Sequence, residues 1–185
     1  MPLRQLVFDF ETVSTCDLKK AGAARYAEDP TTNILTLHFV LDGEWLGCWH
    51  PGEQIEPWLQ SISDPSVTCI AHNVLFEKCI WRAIMVPLYG WPDIPEERWH
   101  DSMAVCAMKL IPIQMGNAVR VLRLPALKDD EGSKITIALS KPDRKGNYPE
   151  ITAEKMARVD SYCRDDTLAQ WGLHQRIGWL PPGER

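Results

Sequence analysis

Leu6-Val7-Phe8-Asp9-Phe10-Glu11 carries two acids inside a run of β-forming residues. The run reads as a short strand. Side chains alternate along a strand, so Asp9 and Glu11 share one face while Phe8 and Phe10 point the other way, into a core. Two carboxylates at that spacing repel unless a cation lies between them. Mg²⁺ suits such a pair, because it takes a few carboxylate oxygens and fills its remaining positions with water and phosphate. Taken alone, the pair reads more simply as solvent-facing acids at the end of an edge strand, so it needs partners elsewhere in the chain.

Outward from this strand, Asn33 to Leu41 reads as a second strand. Asp42-Gly43 is a hairpin turn signal, and Glu44 to Trp49 returns as a third strand. Pro57 to Ile62 is expected to be a short helix, and Val67 to Ala71 a buried strand. Val74 to Met85 carries Phe76, Ile80, Trp81 and Ile84 at helical spacing. Val86 to Trp99 is rich in Pro and Trp and reads as a loop. Asp101 most simply caps a helix running to about Leu110, with an outer acid of the site as its other reading. A helix over Asn117 to Leu124 follows. Pro125 to Glu150 reads as turn-rich and the least regular part of the chain. A long helix starts after Thr152 and runs to about Ile177, and Pro181-Pro182-Gly183 ends the domain. A mixed sheet with helices packed on it is the α/β class this order implies.

The chain has 185 residues, 45% hydrophobic and 24% charged, which suits a packed core in one domain. No run approaches the ~20 apolar residues of a membrane span, and no export signal is read, so a cytoplasmic setting is expected. A net charge of −5 argues against gripping duplex nucleic acid by charge alone. It is compatible with a carboxylate cluster neutralised by divalent cations. Six scattered cysteines suggest reduced thiols, and no spacing points to a structural zinc. His38, His50, His100 and His174 form no evident constellation.

Two later segments supply the partners. His72-Asn73-Val74-Leu75-Phe76-Glu77 follows the buried strand, with Asn73 as a helix cap and Glu77 one turn in. An exposed first-turn Glu is the alternative for Glu77. In the terminal helix, Val159, Tyr162, Asp166, Ala169 and Leu173 make one face. Asp166 within an apolar stripe needs either a cation or a base such as Arg164, and the Tyr162 hydroxyl reaches the same place.

In this order FDFET (8–12), AHNVLFE (71–77) and YCRDD (162–166) resemble the three exonuclease motifs of the DEDD superfamily, in its tyrosine-bearing branch. The histidine branch needs His where Ser161 stands. More closely, the chain resembles the N-terminal 3′→5′ exonuclease domain of phage-type family A DNA polymerases. That likeness includes DLKKAGAARYAEDPTTNIL (17–35), RWHDSMA (98–104) and KDDEGSKITIALSKP (128–142), and GWLPPGER (178–185) resembles the passage from exonuclease to polymerase. The resemblance implies a ribonuclease H-like fold, a single exonuclease domain over 1–180 with a tail at 181–185, and two divalent cations, Mg²⁺ or Mn²⁺. Asp9 bridges both ions in that scheme. Glu11 and Asp166 help hold the ion that activates water, Tyr162 orients the water, and Glu77 supports the second ion where most members have Asp.

The implied substrate is a single-stranded DNA 3′ end, with a DNA polymerase in cis or in trans as partner, no membrane, and a phage or bacterial origin. Phe10, Thr12, Leu18, His72, Asn73 and Phe76 lie near the motifs as substrate-binding candidates, although Phe10 and Phe76 also fit a core. Lys128, Lys134, Lys141, Arg144 and Lys145 are candidate phosphate contacts in a loop that also carries Asp129, Asp130, Glu131, Asp143 and Glu150. An RNA-trimming exonuclease and a non-catalytic nucleic-acid-binding module remain the alternatives.

Overall fold

In this computed structural model, residues 4–125, 129–143 and 146–180 are described. Lys128, Arg144, Lys145 and the Pro181-Pro182-Gly183 stop lie outside them, as does the side chain of Asp130.

Strand β1 (Arg4–Val13) pairs antiparallel with β2 (Asn33–Leu41), which pairs antiparallel with β3 (Glu44–Trp49) through the Asp42-Gly43 turn. On its other side β1 pairs parallel with β4 (Val67–Ala71), and β4 with β5 (Trp99–Asp101). The order β3-β2-β1-β4-β5 is the expected mixed sheet. The three parallel strands end on the same side, where open sheets bind ligands. A register shift between Glu11 and Thr12 interrupts the β1–β2 ladder beside the acid pair, a common use of a bulge.

Alternation divides β1 as its sequence requires. Leu6, Phe8 and Phe10 enter one core with Phe39, Trp49, Trp81 and Trp91. Val7 faces the opposite layer with Val40, Ile70 and Trp171. Above the aromatic core lie α3 (Glu56–Ser63) and α4 (Val74–Ile80), the latter continuing through a π-helical turn at Trp81–Met85 into α5 (Val86–Tyr89). The helix therefore runs past its expected end into the segment read as a loop. Trp91 and Ile94 of that segment are core residues, and Trp81 Nε1 donates to Pro92 O at 3.0 Å. Apolar burial outweighs the turn-forming character of its prolines.

The opposite layer centres on the long terminal helix Ala153–Ile177, started by Thr152 Oγ1 accepting from Lys155 N at 3.3 Å. Between α5 and it come α6 (Ser102–Met108), α7 (Met115–Val121) and α8 (Asp130–Leu139), so the terminal helix is α9. The helix expected over Asn117 to Leu124 is α7, shifted toward the N-terminus. Helix α8 corrects the reading of Pro125 to Glu150 as irregular. Asp129 Oδ1 accepts from Gly132 N at 2.8 Å to start it, and the Arg158 guanidinium holds the same carboxylate at 2.6 Å from Nη1. Two further helices between β1 and β2, α1 (Leu18–Ala21) and α2 (Ala23–Glu28), were not anticipated. No helix of the described residues is long and apolar enough to cross a membrane.

Candidate active site

Asp9 and Glu11 sit half-buried on β1, facing α9. From α9 the Cys163 thiol lies 3.6 Å from Asp9 O and 3.7 Å from Asp9 Oδ2. Carboxylate oxygens of Asp9 and Glu11 and the Cys163 sulfur all fall within 4.8 Å of one another. Asp166 and Tyr162 stand on the shoulder of the same helix. The buried residues of α9 are Val159, Cys163, Thr167, Gln170, Leu173, His174 and Ile177, so the expected stripe holds at Val159 and Leu173 and is displaced by one residue between them. That displacement leaves Tyr162 and Asp166 half-buried rather than lost in the core.

The electrostatics identify one cluster. Desolvation, then Asp166, pushes Asp9 up to about 7, while the Cys163 thiol pulls it back. Desolvation, then Asp9 and Asp166, raises Glu11 well above the usual range. Desolvation also raises Asp166, and the Tyr162 hydroxyl opposes that rise. Glu77 is 3% exposed, so it is no ordinary first-turn surface residue. Desolvation and then Asp9 raise it, and its Oε2 has no hydrogen-bond partner among the described residues. A buried carboxylate oxygen without a donor is costly unless protonated or met by a cation. Four desolvated acids, three of them linked to Asp9 by charge repulsion, fit divalent ions, since hard cations prefer such oxygens.

Other candidates fall differently. Phe10 is 5% exposed and packs against Phe8 and Trp81, so its ring is a core element and not a stacking platform. Thr12 is buried, its hydroxyl 2.8 Å from that of Tyr26 on α2. His72 is occupied at both nitrogens, Nδ1 at 2.9 Å from Ser102 Oγ and Nε2 at 2.7 Å from Ile113 O. It latches the segment after α6 and has no nitrogen free for substrate. Asn73 precedes α4 in a left-handed conformation (φ 78°) and makes no side-chain cap bond, contrary to the capping expectation. Its exposed side chain remains available, as does half-buried Phe76, which packs against Tyr26. Leu18 is exposed, as are Lys134 and Lys141. Asp101 caps α6 through Met103 N at 2.8 Å and also accepts from Asn73 N at 3.2 Å. It adds to the repulsion on Glu77. A groove of about 1000 Å³ between α2 and α4 reaches Val74, Leu75 and Asp101 but is lined by none of Asp9, Glu11 or Asp166.

Cys163 and α8 were missed from sequence. Cys163 could have been found as the residue four beyond Val159 on the buried side of α9. Helix α8 crosses Tyr162 so closely that a Cβ on Gly132 would stand 2.9 Å from Tyr162 Cβ and 2.3 Å from Asp129 Oδ2. Asp129 is held by its cap and by Arg158, and Tyr162 Cβ is fixed to its helix. Gly132→Ala gains about 1 kcal/mol of helix propensity, against about 1–3 kcal/mol for overpacking and about 1 kcal/mol for a weakened cap. Net destabilisation of about 1–3 kcal/mol is expected in a thermal melt, and an unchanged or raised midpoint would refute the close approach.

The mixed sheet flanked by helices is a ribonuclease H-like scaffold that carries this acid cluster on β1, α4 and α9. No protein-family model matches the chain. The DNA polymerase of Bacillus phage SP02 is 26% identical over 198 residues, covering 98% of this chain and 29% of the polymerase. The structure of Escherichia coli RNase D, an exoribonuclease involved in structured RNA processing, superposes with a TM-score of 0.56 at 16% identity. It covers 94% of this chain and 38% of RNase D. The chain thus spans about a third of each relative's length.

Proposed function

We propose that this chain hydrolyses the terminal phosphodiester of single-stranded DNA from the 3′ end, as a proofreading or processing exonuclease. The observation that carries it is the cluster of Asp9, Glu11, Glu77 and Asp166, whose charges are unfavourable without cations. Two divalent cations, Mg²⁺ or Mn²⁺, held by these four residues would supply charge neutralisation at the phosphate and an acidified water. Water adds to phosphorus, the bond to the 3′ oxygen breaks, and a nucleoside 5′-monophosphate leaves with a new 3′-hydroxyl behind it.

The chain's own groups position this reaction. Desolvation and the Asp166 charge raise the Tyr162 hydroxyl far above neutral, so it keeps its proton and acts as a hydrogen-bond donor, not a base. It can orient the attacking water or a phosphate oxygen. Cys163, also raised by desolvation and Asp9, stays a neutral thiol that fixes Asp9. Asn73 and Phe76, at the start of α4, are the remaining candidates for contacts to the last nucleotides.

The extent of likeness to a phage DNA polymerase favours DNA, with a polymerase in cis or in trans as partner and a bacterial cytoplasm as setting. In this reading residues 1–180 form the exonuclease domain and 181–185 its tail. The RNase D likeness favours the second reading, RNA trimming. A 5′-labelled single-stranded DNA and its RNA counterpart, incubated with Mg²⁺ or Mn²⁺ and with EDTA, separate the two. A metal-dependent ladder shortening from the 3′ end of DNA faster than of RNA is expected. Faster RNA digestion would transfer the assignment to RNA, and intact substrates throughout would leave a binding module.

A further inference from the structure

The histidines that formed no constellation along the chain do so in space. Asp9, His38 and Cys48 are directly paired across β1, β2 and β3, so their side chains form one row on the face covered by α9. His50 follows Cys48 by two residues, just beyond β3. Asp160 reaches down from α9 into the row. Its Oδ1 lies 3.3 Å from His38 Nε2 and 3.0 Å from His50 Nε2. Donor atoms of His38, Cys48 and Asp160 all fall within 4.8 Å of one another. We propose that His38, Cys48, His50 and Asp160 form a tetrahedral transition-metal site, of the kind that takes Zn²⁺, separate from the carboxylate cluster.

Zinc bonds of about 2.0–2.3 Å place tetrahedral ligand atoms about 3.3–3.8 Å apart, close to the 3.3 and 3.0 Å that separate Asp160 Oδ1 from the two histidines; His50 would have to move closer to the rest of the group. The donor set is two imidazoles, a thiol and one carboxylate. Thiolate and imidazole select zinc over Mg²⁺, whereas the neighbouring all-oxygen cluster has the reverse preference. The surroundings of His50 point the same way. Its Nδ1 lies 3.4 Å from Glu53 Oε1 and its Nε2 faces Asp160, so each nitrogen meets a carboxylate. A neutral imidazole satisfies only one of them. A tautomer with its Nδ1 proton toward Glu53 would turn the Nε2 lone pair to the place a cation would fill, the carboxylate–histidine–metal arrangement of zinc proteins.

His38 supplies a spectroscopic consequence. Its Nδ1 accepts from Trp45 Nε1 at 3.4 Å, which leaves the ring proton on Nε2 toward Asp160. Loading a metal at Nε2 moves that proton to Nδ1 and ends this long contact. Trp45 is stacked on His38 and largely exposed, so it is free to move away. The bound ion would clamp α9 to β2 and β3 two residues before Tyr162. This site does not depend on the exonuclease assignment.

The probe is Co²⁺ added to the chelator-treated, reduced protein, with Zn²⁺ as competitor. One equivalent is expected to give the intense visible bands of tetrahedral cobalt and a thiolate-to-metal charge-transfer band in the near ultraviolet. Octahedral cobalt on carboxylates gives neither. Zn²⁺ should bleach both bands stoichiometrically. Cys48→Ser is expected to abolish the charge-transfer band. His50→Ala, at a position past the strand end, should weaken binding by at least about the 10–100-fold seen for orienting residues of metal sites. Asp9→Ala with Asp166→Ala should leave the bands in place. A wild-type spectrum of octahedral type, or full-intensity bands in Cys48→Ser, would overturn the site.

Discussion

Asp9→Ala and Asp166→Ala are each expected to lower single-turnover cleavage of a labelled oligonucleotide at least about 10³-fold, equivalent to about 4 kcal/mol of transition-state stabilisation. Asp9 links the two halves of the site, acting on Glu11, on Glu77 and on the Cys163 thiol. Asp166 acts on Asp9, Glu11 and Tyr162. Removing either takes a ligand from the proposed cations and disturbs the charge balance of the rest. The fold should survive, because each variant also removes a repulsion. Apparent substrate affinity should change far less than the rate, since the loss is concentrated in the transition state. Wild-type turnover by either variant would sink the two-cation assignment, even with the carboxylate geometry intact.

Strands β2, β3 and β4 were legible because each is a run of β-formers bounded by turn residues. The acid pair was legible because strand alternation is local. Helix α8 was not, since its start depends on Arg158, 29 residues away, holding Asp129. Strand β5 has three residues and acquires its identity only by pairing with β4. Glu77 is ambiguous in sequence, because first-turn acids are common on surfaces. Its burial follows from packing of α4 against the sheet. The His38, Cys48, His50 and Asp160 cluster rests on cross-strand register and on a contact across 122 residues, neither written in local spacing. Conversely, Phe10 and Thr12 neighbour the acids in sequence yet face the other side of the sheet, so proximity along a strand misassigned them.

Burial of the acids, with charge repulsion added, predicts an inverted pH response of the metal-free protein. Asp9 has a folded pKa of about 7 against 3.8 ordinarily, so the native state binds more protons than the unfolded state between those values. Stability contributed by this group is therefore present at low pH and lost as pH rises through that window. Glu11, Glu77 and Asp166 have the same sign. His174, lowered to about 4 by burial and His100, has the opposite sign over part of the same range, and so does His72. The raw melting profile mixes these contributions. Comparison with Asp9→Asn in identical EDTA buffers removes the histidine contributions, because both proteins share them. Asp9 is half-buried, so its penalty is discounted for solvent to about 1–2 kcal/mol. The variant should melt about 3–6 °C above wild type at pH 8 and approach it near pH 4. Mn²⁺ or Mg²⁺ should raise the wild-type midpoint and leave the variant nearly unmoved, since a cation offsets the repulsion only where the carboxylate is present. A wild-type midpoint equal to that of Asp9→Asn at pH 8 without metal would show that the acids are solvated and that the cluster carries no stored repulsion for cations to relieve.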